Sequence, residues 1–266
     1  KDLSEKIHHL TSKLGQSFVD RFVEYAEERK PTLRMSNLGR PLRQLWYELK
    51  GYKGEKLSPE AKLKFLYGNL IEELLLHLAV EAGHEVTHLQ QEIEVDGVKG
   101  HIDAIIDSVL VDVKSCSTRS FEKFEKGTLL QDDPFGYIAQ LTGYAKALGT
   151  PRAAFLAVDK TLGKICLFEI NVGEYDVPAR IREVRQALDG DEPPERCYEP
   201  VPDGKSGNEK LPTACSYCSF KFECHKDANN GEGLKTYLYS SSPRFLTKVV
   251  REPRVNVYEQ FPTRED

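Results

Sequence analysis

Residues 100–116, GHIDAIIDSVLVDVKSC, constrain the fold strongly because charged residues interrupt two otherwise apolar stretches. Alternation of apolar and polar residues is typical of β-strands, and an unpaired charge in a buried strand is energetically costly. A two-residue turn at Asp107 and Ser108 would join the stretches as a β-hairpin. In that register the facing pairs are Ile106 with Val109, Asp103 with Asp112, and His101 with Lys114.

The predicted hairpin has one apolar and one charged face. The apolar face contains Ile102, Ala104, Ile106, Val109, Val111 and Val113, and the charged face contains His101, Asp103, Asp112 and Lys114. Facing carboxylates repel each other, so a divalent cation with oxygen ligands is the expected compensation. The alternative is a solvent-exposed face with two acids and a lysine. A longer turn would change the facing pairs, but Asp112 and Lys114 would still share a face because they lie two positions apart.

Four short motifs over residues 65–170 resemble those of the PD-(D/E)XK nuclease superfamily, in its RecB-type exonuclease branch with phage and CRISPR-associated exonucleases. In chain order they are Gly68-x3-Glu72, Gly100-x-x-Asp103, Asp112-x-Lys114 and Gln140-x3-Tyr144, the last being typical of that branch. The resemblance implies an α/β fold with the restriction-endonuclease-like core of the superfamily, a mixed sheet flanked by helices.

The same resemblance implies a metal-dependent DNA exonuclease that hydrolyses phosphodiester bonds from DNA ends. Its Mg²⁺ or Mn²⁺ ligands would be Glu72, Asp103, Asp112 and the Val113 carbonyl, with Glu73 as the alternative to Glu72. Lys114 would orient or activate the attacking water or neutralise developing charge. The residues that position the active site and the DNA backbone would be Gln140 and Tyr144. A structure-specific endonuclease, or a DNA-binding or scaffold protein that no longer cuts, remain alternatives.

A basic segment extends to the start of the first motif. Residues 29–64 contain ten Lys or Arg and three acids, a balance of +7 in a chain whose formal charge is −5. Such a segment indicates a surface for phosphate contacts. Its candidate DNA-binding residues are Arg34, Arg40 and Arg43, joined by Tyr144 downstream. The alternatives are a solvated helical face and a surface for a protein partner.

Three cysteines lie close together in Cys215-x2-Cys218-x5-Cys224, a spacing that indicates metal ligation. The triad resembles the C-terminal cysteines of iron–sulfur members of the RecB-type nucleases. Those relatives take a fourth cysteine from a Cys-Pro pair before the core, where this chain has Arg40 before Pro41. Cys197 is the predicted fourth ligand and His225 is the alternative. Because the Cys-Pro pair is missing, the site could hold either a [4Fe–4S] cluster or a structural Zn²⁺. Three buried thiols without a metal are the remaining alternative. Cys116 and Cys166 are predicted core residues.

Periodicity and capping residues predict the remaining elements. Helices are predicted over 4–28, Ser36 to Lys50, Ser58 to Gly83, Asp133 to Gly149 and 176–188, and strands between His84 and Cys116 and over AAFLAVD and KICLFEI. Three parts are therefore expected along the chain. These are a helical N-terminal part with the basic segment (1–57), the nuclease core (58–190) and a Cys-rich metal-binding extension with a tail (191–266).

No stretch is long and apolar enough to predict a membrane span, and the N-terminal residues lack the apolar core of a secretory signal. We therefore expect a cytoplasmic protein, in the host cytoplasm if it is phage-encoded, with no membrane partner. The expected partner is DNA, at ends that are single-stranded or belong to processed duplex, and a recombination or replication protein is a further candidate. The sequence leaves the oligomeric state open.

Overall fold

The computed structural model describes residues 2–26, 31–56, 58–239 and 243–257. The chain forms two compact units, of which the first contains Lys1–Arg40 and Leu57–Asp189. The second unit contains Pro41–Lys56 and Gly190–Asp266. The predicted N-terminal part, 1–57, is thus divided between both units, and the chain passes from one unit to the other three times.

The first unit has five α-helices and seven strands among its described residues. The helices are α1 (Leu3–Ala26), α3 (Pro59–Glu81), α4 (Thr118–Glu125), α5 (Tyr137–Leu148) and α6 (Val177–Asp189), while α2 (Leu42–Leu49) belongs to the second unit. The strands are β1 (Val86–Thr87), β2 (Glu92–Val95), β3 (Val98–His101), β4 (Ala104–Ile106), β5 (Val109–Cys116), β6 (Arg152–Asp159) and β7 (Ile165–Asn171). Short 3₁₀ turns occupy Met35–Asn37 and Thr128–Leu130.

Five of these strands form a mixed sheet in the order β1-β4-β5-β6-β7. Strands β5 and β6 are parallel, the other neighbours are antiparallel, and β2 and β3 form a separate ribbon. The two cores lie on opposite faces of the sheet. Leu75 and Leu76 of α3 cover one face, and the other is covered from α4, α5 and α6. The predicted α/β class, a mixed sheet flanked by helices, is confirmed.

The predicted turn of the hairpin is confirmed. Ile106 pairs with Val109 and Ala104 with Val111, and the turn residues Asp107 and Ser108 have φ angles of 47° and 65°. Positive φ at both central residues is the type I′ geometry, whose twist matches that of the strands it joins.

Beyond this turn the predicted hairpin was too long. Strand β4 has only three residues, and His101 belongs to β3, where it faces Glu92 instead of Lys114. Ile102 was also misplaced, because its side chain packs in the core on the α5 side, away from Ala104 and Val111. Residues 102 and 103 belong to neither β3 nor β4, so strict alternation does not continue across residues 101–104.

The helix boundaries follow the predicted caps in part. The Ser58 hydroxyl accepts a hydrogen bond from the Ala61 amide at 3.2 Å and begins α3 as predicted. The predicted helix from Ser36 begins only at Leu42, after Pro41, and α5 begins at Tyr137. Residues 27 and 28 of the first predicted helix lie outside the described residues, and α4 was not predicted.

The second unit joins α2 to the C-terminal part of the chain. Its elements are the strands β8 (Val201–Pro202), β9 (Glu209–Lys210), β10 (Lys235–Leu238) and β11 (Pro243–Lys248) and the short helices α7 (Thr213–Ser216), α8 (Lys221–Cys224) and α9 (Ala228–Gly231). The four strands form an antiparallel sheet in the order β10-β11-β9-β8. Trp46 of α2 is buried, and its indole nitrogen donates to the Gly190 carbonyl at 3.4 Å.

Within the described ranges, no helix has the length and apolar character needed to cross a membrane.

The backbone of Gly136, just before α5, touches the backbone of Gly39. Gly136 has φ +76°, and an added Cβ would lie well inside contact distance of Gly39. We expect Gly136→Ala to lower the free energy of unfolding by more than the ~1–2 kcal/mol of left-handed strain, as measured by urea unfolding. Gly163→Ala is the matched control, because Gly163 has φ +71° with no atom within 4 Å of the added Cβ. Equal losses in both variants would show that the contact with Gly39 has no energetic weight.

Candidate functional site

A buried ion pair lies at the centre of the candidate active site. Asp112 and Lys114 share one face of β5, as predicted, and the Asp112 side chain is 1% exposed. The Lys114 Nζ lies 2.5 Å from Asp112 Oδ2, and it lies 3.4 Å from Gln140 Oε1. The ammonium group also faces the ring of Tyr137, 4.7 Å from its centroid. Lys114 therefore supplies the positive charge that a carboxylate buried in this sheet requires.

Asp103 lies beside this pair. Its Oδ2 accepts a hydrogen bond from the Val113 amide at 2.7 Å, which brings the carboxylate next to β5. Burial raises the pKa of Asp103 well above its usual range, and the charges of Asp112 and Glu72 raise it further. For Lys114, burial works to lower the pKa, but the charges of Asp112 and Asp103 outweigh it and hold the pKa above its ordinary value. The predicted clustering of two hairpin carboxylates with the lysine is therefore present.

Glu72 and Glu73 occupy different surroundings on α3. Glu72 accepts a hydrogen bond from Gln90 Nε2 at 2.7 Å and lies near enough to Asp103 to raise its pKa. Glu73 lines a separate cavity with His9 and His77. Of the two residues, Glu72 is thus the one that shares the electrostatic environment of the hairpin carboxylates.

Gln140 and Tyr144 connect α5 to the ion pair. The Gln140 side chain donates from Nε2 to the Tyr144 hydroxyl at 2.9 Å, while its Oε1 faces Lys114. Tyr144 is 2% exposed and packs so closely on Gly100 that an added Cβ there would lie 2.7 Å from its ring. A side chain so deeply buried has little surface to offer a ligand, and its hydroxyl is in contact with Gln140. Its predicted direct contact with DNA does not agree with this burial.

Two residues near the ion pair were not predicted as site residues. Tyr137 stacks beneath the Lys114 ammonium group, a cation–π contact that fixes the lysine on one side. Asp133 caps α5 by accepting hydrogen bonds from the amides of Tyr137 at 3.0 Å and Ile138 at 2.8 Å. The spacing of Tyr137 and Gln140, three residues apart on one helix, was the available signal for Tyr137.

The donor atoms of this site suit a hard divalent cation. Glu72, Asp103 and Asp112 offer only carboxylate oxygens, the ligands that Mg²⁺ and Mn²⁺ prefer. In the described part of the chain, no three His, Cys, Asp or Glu side chains form a group that could hold a metal ion as they stand. The ammonium group of Lys114 already neutralises the Asp112 carboxylate. A bound cation would therefore have to share this carboxylate with Lys114.

The three arginines predicted to bind DNA differ in their surroundings. Arg43 is occupied within the second unit, where it donates to Cys224 Sγ at 3.2 Å, to the Tyr47 hydroxyl at 3.1 Å and to the Pro194 carbonyl. These contacts occupy several of the donors that a phosphate would need, and the role of Arg43 in DNA binding stays a prediction. Arg34 is exposed and Arg40 is partly buried. Arg29 and Lys30 of the basic segment lie outside the described residues.

The four predicted cysteine ligands line one small cavity in the second unit. The cavity has a volume of about 40 Å³, and His225 lines it as well as Cys197, Cys215, Cys218 and Cys224. Burial raises the pKa of Cys215 to about 12, and the three other thiols add to this shift. His225 is buried beside them, and burial lowers its pKa to about 4, so the imidazole is neutral at pH 7. Cys116 is a core residue and Cys166 packs against that core.

No protein-family model and no curated protein matches this chain. Ten chains of solved structures do match, among them SSO0001, with a TM-score of 0.43 and 19% identity over 79% of this chain and 93% of that chain. The alkaline exonuclease LHK-Exo from Laribacter hongkongensis has a TM-score of 0.42 and 16% identity, covering 60% of this chain and 91% of its own. A phage-related exonuclease from Haemophilus somnus 129PT has 0.41 and 16%, covering 60% and 92%. At such scores the likeness carries no argument for a particular activity.

The repulsion among the carboxylates predicts a stabilising substitution. The raised pKa of Asp103 means that its charged form lowers stability above the unfolded pKa of about 3.8, most strongly above the folded pKa. We expect Asp103→Asn, which keeps an acceptor for the Val113 amide, to raise the melting temperature at pH 7 by about 2–4 °C. The gain should shrink as the pH falls toward 4.

Asp107→Asn is the matched control on the same hairpin. The hydrogen bond from His84 lowers the pKa of Asp107, so removal of this charge should lower the melting temperature slightly. A stabilisation of the same size in both variants would contradict the explanation from buried repulsion.

Proposed function

We propose that this protein is a metal-dependent deoxyribonuclease that hydrolyses phosphodiester bonds at DNA ends. The observation that carries the proposal is the buried Asp112–Lys114 pair, held by Gln140 and adjoined by the carboxylates of Asp103 and Glu72. A lysine among buried acids is poorly explained as a stabilising device, because apolar residues would fill such a space at lower energetic cost. Buried ionisable groups with shifted pKa values are instead typical of functional sites.

Mg²⁺ or Mn²⁺ would be held by Glu72, Asp103, Asp112 and the Val113 carbonyl. When bound, the metal would supply charge neutralisation on the scissile phosphate and a lowered pKa of a bound water. The protein's own contribution begins with Lys114, whose ammonium group neutralises charge on the phosphate oxygens or orients the attacking water. Gln140 and Tyr137 restrict the position of that ammonium group, and Tyr144 holds Gln140 from behind.

Attack at DNA ends is the finer part of this proposal, and it depends on the resemblance of Gln140-x3-Tyr144 to the RecB-type motif. The corresponding alternative is a structure-specific endonuclease with the same catalytic groups. A protein that binds DNA without cutting is disfavoured, since Asp112 and Lys114 are both present and paired. The proposed setting is recombination, replication or DNA degradation in the cytoplasm, on single-stranded ends or processed duplex.

Substitution of either partner of the ion pair should slow cleavage strongly. We expect Asp112→Asn and Lys114→Met each to slow Mg²⁺-dependent digestion of end-labelled linear DNA by at least about 10²–10³-fold, because each removes charge at the reacting phosphate. Lys99→Met is the matched control, since Lys99 is an exposed lysine paired with Glu92 on the nearby ribbon. Wild-type rates in both site variants would end the proposal.

The proposed requirement for DNA ends can be tested with the same protein. A covalently closed circle and its linearised form have identical sequence and differ only in the presence of ends. We expect nucleotide release from the linear form alone, measured as acid-soluble label over time. Equal rates on both forms would favour the endonuclease instead.

For the second unit, we propose that Cys197, Cys215, Cys218 and Cys224 hold a [4Fe–4S] cluster or a structural Zn²⁺. Four thiols around one cavity satisfy the ligand count of either group. The hydrogen bond from Arg43 to Cys224 Sγ adds support, because donors to ligating sulfur are typical of such sites.

Metal analysis tests this site independently of cleavage. We expect freshly purified protein to contain zinc or iron, with visible absorbance in the second case, and Cys218→Ser to lose most of it. Arg43→Gln should release the metal to a chelator about 10–100-fold faster than wild type. The control is Cys116→Ser, a buried thiol of the first unit, which should leave the metal content unchanged. Metal-free wild-type protein after anaerobic purification would refute the site.

A further inference from the structure

A polar groove of about 430 Å³ lies on the second unit, apart from the cysteine cavity, and most of the charged residues in the described part of its lining are cations. Lys205, Arg244, Arg251 and Arg254 line it together with two acids, Asp203 and Glu252. The groove is therefore positive although the whole chain carries a formal charge of −5. A local field of this sign attracts polyanions.

One of these cations is held rigidly against an aromatic ring. Arg244 donates to Asp203 Oδ1 at 2.7 Å, and its guanidinium carbon lies 3.9 Å above the centroid of the Tyr239 ring. Asp203 is buried and also lies 3.2 Å from the Lys210 ammonium group. Arg244 and Tyr239 thus form a fixed platform of a guanidinium plane and a ring.

A second cation, Arg251, lies on a stretch of backbone that hydrogen bonds clamp in place. The buried Asn208 accepts hydrogen bonds from the amides of Val250 at 2.7 Å and Arg251 at 2.8 Å, and it donates to the Arg251 carbonyl at 2.8 Å. Arg251 is exposed beyond this clamp. Within residues 2–26, 31–56, 58–239 and 243–257, the side chains of Lys205, Arg251 and Arg254 have no hydrogen bond or ion pair. Their charges are therefore available to a ligand.

We propose that this groove binds the phosphate backbone of single-stranded DNA. The proposal rests on the proposed function for its substrate class. Arginine and lysine side chains are the usual donors to phosphate oxygens, and an aromatic ring beside them is typical of single-strand binding. An acidic protein partner fits less well, because the described residues of the lining include no large apolar side chains besides Tyr239 and Pro253, and protein interfaces need an apolar centre.

The test is binding of fluorescein-labelled oligo(dT) to the chain of 266 residues, followed by fluorescence anisotropy at several salt concentrations. All proteins carry Asp112→Asn so that the oligonucleotide is not cut. We expect Arg251→Ser with Arg254→Ser to weaken binding about tenfold near 0.1 M salt. The slope of log K against log salt should fall by about 1.4, since each phosphate contact on a single strand contributes about 0.7.

The matched control is Lys226→Ser with Lys235→Ser, which removes the same charge from the same unit. Lys226 is exposed and Lys235 is partly exposed, and they pair with Glu223 and Glu232 outside the groove. This control should change affinity less than twofold and leave the slope intact. In a further pair, Tyr239→Ala should weaken binding while Tyr239→Phe, which keeps the ring, should not.

Three results would overturn the proposal. The first is unchanged affinity in the arginine double variant, and the second is an equal loss of affinity in the lysine control. The third is that polyglutamate displaces labelled oligo(dT) as effectively as unlabelled oligo(dT) does. Circular dichroism of each variant separates lost binding from lost folding. Cleavage by the chain without Asp112→Asn is scored separately, so failure of the groove and failure of the proposed nuclease give different patterns.

Discussion

The ion pair of Asp112 and Lys114 is the constraint on which the arrangement of the first unit depends. Both residues lie on β5, whose neighbours in the sheet are β4 and β6, and the Asp112 carboxylate is almost wholly buried. A charge in such a position requires an opposite charge and further polar contacts. Those contacts come from α5, through Gln140 and Tyr137, so the electrostatics of one strand determine where a helix must lie.

Close packing connects residues that are far apart in sequence but belong to the same site. Gly100 has no side chain where Met35 and Tyr144 meet, and an added Cβ there would lie 2.7 Å from both. Gly143 on α5 likewise makes room for Met35. The Tyr144 hydroxyl can therefore reach Gln140, which faces the ion pair. The glycine and tyrosine of two separate motifs thus have a common explanation in one contact.

Local signals in the sequence were sufficient for part of this structure. The Asp107–Ser108 turn, the shared face of Asp112 and Lys114, and the Ser58 cap depend on residues within a few positions, and each was predicted correctly. Prediction failed where residues that are distant in sequence determine the pairing of a strand or the partner of a side chain. His101 pairs with Glu92 of another strand, and Arg43 meets Cys224, which is 181 positions away. The basic charge of a segment could not reveal that one of its arginines already donates to a thiol, a tyrosine hydroxyl and a backbone carbonyl.

The second unit is built from two separate stretches of chain, and this limits how the protein can be divided. Leu45, Trp46 and Tyr47 of α2 are all buried, with Tyr47 stacked on Phe220 and Trp46 bonded to Gly190. A fragment ending at residue 189 would retain these buried side chains without the part of the chain that covers them. Such a fragment would expose an apolar surface prone to self-association, so the first unit cannot be isolated cleanly by shortening the C-terminus.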